Sequence, residues 1–303
     1  MGGFLSTLGQ KLAERWFTLL VLPGAFYVAV VVTGVTLGQG HALNVNFLTA
    51  QIGTWVKTPA ADTTGGQVTL LGVLLAGAAA AGLAAHALGR VTEQLVLAAN
   101  WRSWPYPLRR LAERNVDKRR NRWKSADERY QAARENARRA REQGERAEPM
   151  EREVAYRELV RIAEATPERP TWSGDRIHGV TRRLENEFNL DVARVWPALW
   201  LSLPDYARTE VTAARDDLSA AAALVGWAAL YAPLLFWWWP AILISAGLAT
   251  TAHHRVRSAA DTYACLVDAV ARLYSSDLAK QLQLPTGPLS SEIGLALTRH
   301  FNG

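Results

Sequence analysis

Three groupings of side chains in this sequence have the types and spacing to do chemistry. His253 and His254 stand side by side, directly before Arg255. Neighbours on a helix point about 100° apart, so two adjacent imidazoles are poor joint ligands for one metal ion, and packing at a membrane border accounts for them better. Asp216 and Asp217 form an acidic pair at the entrance to an apolar run, where they can draw cations or sit as ordinary near-surface charges. His86 is the one ionisable group inside an otherwise apolar segment. At membrane depth such a group is a functional candidate, and near a segment end it also fits a satisfied or snorkelling histidine. The sequence has no P-loop, no serine nucleophile elbow, no HExxH and no paired CxxC. An intramembrane enzyme needs a buried nucleophile or acid pair, and no expected span carries Asp, Glu or Cys. The chain is therefore expected not to be an enzyme and to need no metal and no cofactor. Its single cysteine, Cys265, excludes an internal disulfide and reads as a small buried apolar residue.

Those side chains belong to a chain of sharply segregated composition. Of 303 residues 49% are hydrophobic, yet the mean hydropathy is near neutral, because two almost purely apolar stretches precede a densely charged middle. That is the pattern of a membrane protein with a large soluble part. The net charge of +6 is modest, and the basic residues are mixed with acids beside apolar segments. Membrane topology explains them better than nucleic acid, and no nucleic-acid partner is expected. Residues 16–37 exceed a usual signal-peptide core and no small-residue cleavage site follows, so a cleavable leader is not expected.

Phe4, Leu5, Leu8 and Leu12 share a helical face, so residues 1–15 read as an interfacial helix. Residues 16–37 form a first span, enough for ~30 Å of hydrocarbon, and Pro23-Gly24 predicts a kink. Residues 38–67 read as an extracytoplasmic loop with Leu48, Ile52 and Trp55 on one helical face. Residues 68–89 form a second span in which Ala76, Ala80 and Ala84, and likewise Gly77, Ala81 and Ala85, recur every four positions. Small residues at that spacing let helix backbones approach closely in lipid, within a subunit or between subunits. Arg90, Arg102, Arg109, Arg110 and Arg114 follow this span, Lys11 and Arg15 precede the first, and the intervening loop has one lysine. The positive-inside rule then places both termini and the charged region 90–217 in the cytoplasm.

Within that region Trp123, Ala126, Tyr130, Ala133, Ala137 and Ala140 alternate at three and four. They make either the seam of a coiled-coil hairpin over 106–165 or a solvated helix lying on its own domain. "TPERPTWSGD" is loop chemistry, and Asp175 is expected to cap a helix whose face is Ile177, Val180, Leu184 and Phe188. Asp191 and Asp205 are expected to cap the next two helices, the second running into the apolar run 218–252. As one straight helix that run would measure ~52 Å, well over the hydrocarbon thickness, and Pro240 breaks it. It reads as a hairpin of third and fourth spans with Trp237, Trp238 and Trp239 anchoring its tip at the interface; a re-entrant hairpin with the tryptophans buried against protein is the alternative. Residues 253–303 read as C-terminal cytoplasmic helices, the last capped by Ser290 or Ser291. The expected class is an all-α integral membrane protein: four transmembrane helices plus a helical cytoplasmic domain.

The stretch "PTWSGDRIHGVTRRLENEFNLDVARVWPALWLSLPD", with the Trp-rich hairpin and "DTYACLVDAVARLY" after it, resembles a family of uncharacterised bacterial, largely actinobacterial, multi-pass membrane proteins. The shared features are Gly174-Asp175-Arg176, Leu190-Asp191, Trp196-Pro197 and Leu203-Pro204. The resemblance implies a bacterial cytoplasmic membrane location and carries over no functional residue. The order of parts is similar to bestrophin-type anion channels by architecture alone, since "HHRVRSAAD" stands where their acidic-Pro-Phe-Gly motif would follow the fourth span.

Two functional expectations follow. In the first, the chain is a homo-oligomeric channel or pore-forming effector, gated through its cytoplasmic helices, with Thr33, Thr36 or His86 repeated around a ring to line the pore or gate. In the second, it is a membrane-anchored scaffold whose Arg/Glu-rich helices recruit a cytosolic protein partner, the bilayer serving only as anchor.

Overall fold

The structure is a computed structural model that describes residues 21–56, 63–144 and 149–302. The expected interfacial helix at 1–15 and the start of the first span lie outside the described residues. Within them the chain is helical and has no strand. In order the helices are α1 (Leu22–Leu37), α2 (Val45–Val56), α3 (Thr64–Leu97), α4 (Tyr106–Glu142), α5 (Pro149–Ile162), α6 (Trp172–Phe188), α7 (Val192–Ser202), α8 (Asp205–Tyr231), α9 (Ala241–Gln281) and α10 (Ser291–His300). They form two compact units. Unit 1 holds the described residues up to Thr92 and Ser219–His254; unit 2 holds Glu93–Leu218 and the described residues from Arg255 on.

Unit 1 is assembled by backbone approach at small residues. A Cβ on Gly24 would lie 1.9 Å from the Ala78 carbonyl oxygen, and one on Gly226 would lie 2.3 Å from that of Ala85. A Cβ on Gly89 would meet the Ala223 Cα at 2.9 Å. Only glycine admits such contacts, which is how helices associate where apolar area alone gives no preference for protein over lipid. The buried row of α3 is Ala78, Gly82, Ala85 and Gly89.

The tryptophan stretch is the turn of a helical hairpin. After α8 a 3₁₀ turn covers Ala232–Phe236, Pro240 precedes α9, and the Ser245 hydroxyl donates to the Ala228 carbonyl across the pair at 3.0 Å. Tyr231, Leu234 and Ala241 form a small core with Tyr27, Trp227 and Trp238 packed around it. The segment after α1 ties the turn down. Trp238 Nε1 donates to the Ala42 carbonyl (2.9 Å), the Gln39 amide donates to that of Leu235 (2.9 Å), and its oxygen accepts from Trp239 N (3.1 Å).

Among the described residues two helical stretches, Thr64–Leu97 and Asp205–Phe236, are long and apolar enough to cross a membrane. The expectation was four. The described part of the first apolar segment has 16 residues, and α9 meets His253, Arg255 and Arg257 within its first five turns. Helix α9 continues without interruption to Gln281, so the second limb of the hairpin and the first of the expected C-terminal helices are one helix.

Unit 2 has a conventional apolar core. Val180 and Leu184 of α6, Val195 and Leu199 of α7, Val267, Val270 and Leu278 of α9, and Ile293 and Leu297 of α10 are buried together. The core thus needs both chain segments, and a fragment ending at 217 would lack the α9 and α10 side of it. Asn189 ends α6 at φ 54°, in the left-handed region, and Asp191 and Ser290 cap α7 and α10 by accepting from Arg194 N and Ile293 N. The cap of α6 is not Asp175 but Thr171, whose hydroxyl accepts from Gly174 N. Helix α4 packs along α5, with Ala126, Ala133 and Ala137 buried and the Tyr130 and Tyr156 rings 5.4 Å apart.

Candidate functional site

The most elaborate polar construction among the described residues lies in unit 2, around the loop between α5 and α6. Three residues of α4 reach into it. Arg119 donates to the carbonyls of Arg169 (2.7 Å) and Ile162 (3.0 Å) and to Asp175 Oδ2 (2.5 Å). Arg120 Nε donates to the Pro167 carbonyl (2.9 Å), and Trp123 Nε1 to that of Ala163 (3.0 Å). From the other side Asp175 Oδ1 accepts the backbone N–H groups of Glu168 (2.9 Å) and Arg169 (2.7 Å). Arg169 donates to the Leu97 carbonyl at 2.9 Å, and Thr171 bonds the carbonyl of Val96. Gly174 is pressed against the same two carbonyls, a Cβ there lying 2.8 Å from Leu97 O. These bonds tie the loop to α4, to α6 and to the end of α3, so it is held in one conformation.

This loop, α5, α6 and the start of the unit 2 part of α9 border an open groove of about 1190 Å³. Its carboxylates are engaged in ion pairs. Glu164 holds Arg176 (2.6 Å) and Arg183; Glu168 holds Arg182 and His178 (3.1 Å). Asp261 holds Arg176 (2.5 Å), Glu187 holds Arg272 (2.7 Å), and Asp175 holds Arg119. Arg161 and Arg257 differ: among the described residues neither has an acidic partner within ion-pair distance. Arg257 lies over the Trp172 ring, 4.4 Å from its centroid, and Nη2 donates to the Arg161 carbonyl at 3.3 Å.

The electrostatics follow burial and neighbours. Burial, then the charges of Arg119 and Arg161, push Arg257 below the usual arginine range. Burial lowers Arg169 as well. His178 is lowered by burial and then by the Arg169 charge, against the opposing pull of Glu168. Burial raises the Glu168 carboxyl, but its bonds to Arg182 and His178 outweigh that and leave it lowered.

The residues singled out from sequence fall mostly in unit 1. Thr33 and Thr36 are half-buried on α1, Thr36 spending its hydroxyl on the Val32 carbonyl (2.6 Å), and His86 is half-buried on α3. No hydrogen bond links the three. Of the small residues of α3, Ala76 and Ala80 are exposed and Gly77, Ala81 and Ala84 half-buried. Trp237 and Trp239 are exposed at the hairpin turn, while Trp238 is half-buried. His253 and His254 meet edge to face, 5.7 Å apart, and no group of side chains suited to a metal occurs among the described residues. Asp216 and Asp217 are exposed. Cys265, expected to be buried, is exposed on α9 with Arg176 Nη2 3.4 Å from its sulfur, because the apolar face of that turn is taken by Ala264 and Val267.

Sequence reasoning missed Arg119, Arg161, Trp172 and Arg257. Only Asp175 and Arg176 carried a signal, as part of Gly174-Asp175-Arg176. No protein-family model matches the chain, and no curated protein or solved structure matches it.

Proposed function

We propose that the chain is a four-span protein of the bacterial cytoplasmic membrane, with both termini in the cytoplasm, that assembles into a homo-oligomeric channel or pore-forming effector gated by unit 2. The observation that carries this reading is the uncovered face of α3. Gly72, Ala76 and Ala80 stand four positions apart and exposed, among exposed Leu71, Leu75 and Leu83. A row of small residues flanked by apolar ones suits a close contact with another copy in lipid. Thr33, Thr36 or His86 would then face the axis of the assembly. The bestrophin-like order of parts favours the same reading by architecture alone.

The second reading is a membrane-anchored scaffold, favoured by unit 2 having its own core and by the Arg/Glu-rich surface of the α4–α5 pair. One experiment separates them: ion flux into liposomes carrying the purified protein, with its oligomeric mass measured in the same detergent. The channel reading expects flux from a defined ring, lost together with the ring in Ala76→Leu or Ala80→Leu. A monomeric, silent protein would turn the assignment to the scaffold.

A further inference from the structure

We propose that the corner of the unit 2 groove formed by Arg161, Trp172 and Arg257 is a binding site for a phosphate ester anion. Four observations lead there. First, the groove's own carboxylates are occupied by other cations, so none is left to neutralise this corner. Second, Arg161 and Arg257 have no carboxylate among the described residues, although both line the groove. Third, Arg257 is held in place rather than free in water: it stacks on Trp172 and donates one N–H to the Arg161 carbonyl. A stacked guanidinium keeps the rest of its in-plane donors available for an anion, and a fixed one loses little freedom on binding. Fourth, burial and then the neighbouring guanidinium charges disfavour the Arg257 cation; of those neighbours Arg119 is paired with Asp175, while Arg161 has no carboxylate among the described residues. An anion there would relieve repulsion that the fold leaves uncompensated.

The chemistry of the anion follows from the count of donors. Two uncompensated guanidinium groups match a group with up to two charges and three acceptor oxygens, which is a phosphate; a lone carboxylate would match one of them. A groove of about 1190 Å³ is far larger than a phosphate, so the ligand has a substantial organic part. Two sources offer that chemistry: a soluble phosphate monoester and the monoester headgroup of a phospholipid such as phosphatidic acid. Arg257 stands five positions after Ala252, the end of the apolar run, which keeps the lipid source in view. The proposal does not depend on whether the chain conducts ions or anchors a partner.

The test uses the full-length protein in nanodiscs and reads the rate at which phenylglyoxal modifies each arginine, mapped by mass spectrometry. One arm adds adenosine triphosphate to discs of neutral lipid; the other replaces part of the phosphatidylcholine with phosphatidic acid, whose headgroup is a phosphate monoester, and adds nothing soluble. Protection of Arg161 and Arg257 by at least fivefold in either arm, with exposed Arg122 unaffected, is the expected result, and the arm that protects names the source. In the Arg161→Gln, Arg257→Gln double variant the apparent affinity for the protecting probe should fall at least tenfold. Neither replacement strands a carboxylate, and helical circular dichroism checks the fold. If that variant does not fold, protection of the wild-type protein still decides. Equal protection at Arg122, protection in neither arm, or wild-type affinity in a folded double variant would overturn the proposal.

Discussion

The two units solve the problem of holding helices together in opposite ways. Unit 2 buries whole leucines, Leu184 and Leu297 at 0% exposure and Leu199 at 1%, and fixes its loops with charged side chains. Unit 1 leaves Leu70, Leu71, Val73, Leu74 and Leu75 exposed on α3 and brings its backbones together at Gly24, Gly89 and Gly226. In water the first arrangement is driven by apolar burial and the second would leave its apolar surface uncompensated. In hydrocarbon that exposed surface costs nothing, and close backbone packing is what remains to select one arrangement of helices. The contrast is what the proposed membrane setting of unit 1 would produce.

The largest test of this contrast is Asp175→Ala. Asp175 and Arg119 have side chains only 10% and 16% exposed. Removing the carboxylate strands a guanidinium and two backbone N–H groups, of Glu168 and Arg169, inside unit 2. Breaking a buried pair in this way costs about 3–5 kcal/mol, a large share of a domain's stability. Urea unfolding in detergent, followed by tryptophan fluorescence, should show a much lower midpoint, with Asp175→Asn between the two. A midpoint within experimental error of wild type would show that the loop network is surface decoration and that apolar burial alone holds unit 2.

Next in size is a pair of glycines in unit 1. Gly226→Val must push the α8 and α3 backbones apart, and overpacking of this kind costs about 1–3 kcal/mol. Gly72→Val, with open space around its Cβ position, should leave the stability of the monomer unchanged to within about 0.5 kcal/mol, and so its thermal midpoint nearly unmoved. Scanning light scattering in detergent reads both. If the two behaved alike, unit 1 would not be held by close backbone approach. If Gly72→Val instead dissociated an oligomer, the uncovered face of α3 would be an interface between copies.

The helices of unit 2 were legible because their apolar positions recur at three and four, and those of unit 1 because their segments are long and apolar; the turn at the tryptophans was legible because the run is too long for one span and contains Pro240, but only its first limb is long and apolar enough to cross a membrane. Ala126, Ala133 and Ala137 of the small-residue seam are buried where α4 packs along α5. What escaped was everything that depends on chain reversal. Asp175 reads locally as a helix cap, and its actual role needs Arg119, which is 56 residues away. The groove joins α5, α6 and α9, and no periodicity records that Arg257 will lie on Trp172. Spacing pointed to two rows of small residues on α3, but the buried row is a third, Ala78, Gly82, Ala85 and Gly89, because small residues are so dense there that only a neighbouring backbone selects the face.

The smallest expected effect is a pH dependence confined to unit 2, and its sign can be worked out. Burial and the Arg169 charge lower His178 from its ordinary value of 6.5. As pH falls through 6.5 the unfolded chain takes up a proton that the folded chain still refuses, so stability falls over that interval and levels off once the folded histidine also protonates. Glu168, lowered from 4.5 through Arg182 and His178 against its burial, contributes stability that is present above 4.5 and lost as pH falls through its folded value. Unit 2 should therefore lose stability in two steps on acidification. Among the described residues unit 1 has no matching ion-pair network, so fluorescence reporting on its hairpin tryptophans should not follow the upper step. His178→Gln removes the upper step and leaves the lower one, because glutamine does not titrate while the Glu168–Arg182 pair remains. Chemical denaturation at pH 8, 6 and 4 distinguishes these outcomes: an upper step that persists in His178→Gln would place its origin in another group, and a rise in stability between pH 8 and 6 would mean that Glu168, not burial, governs the histidine.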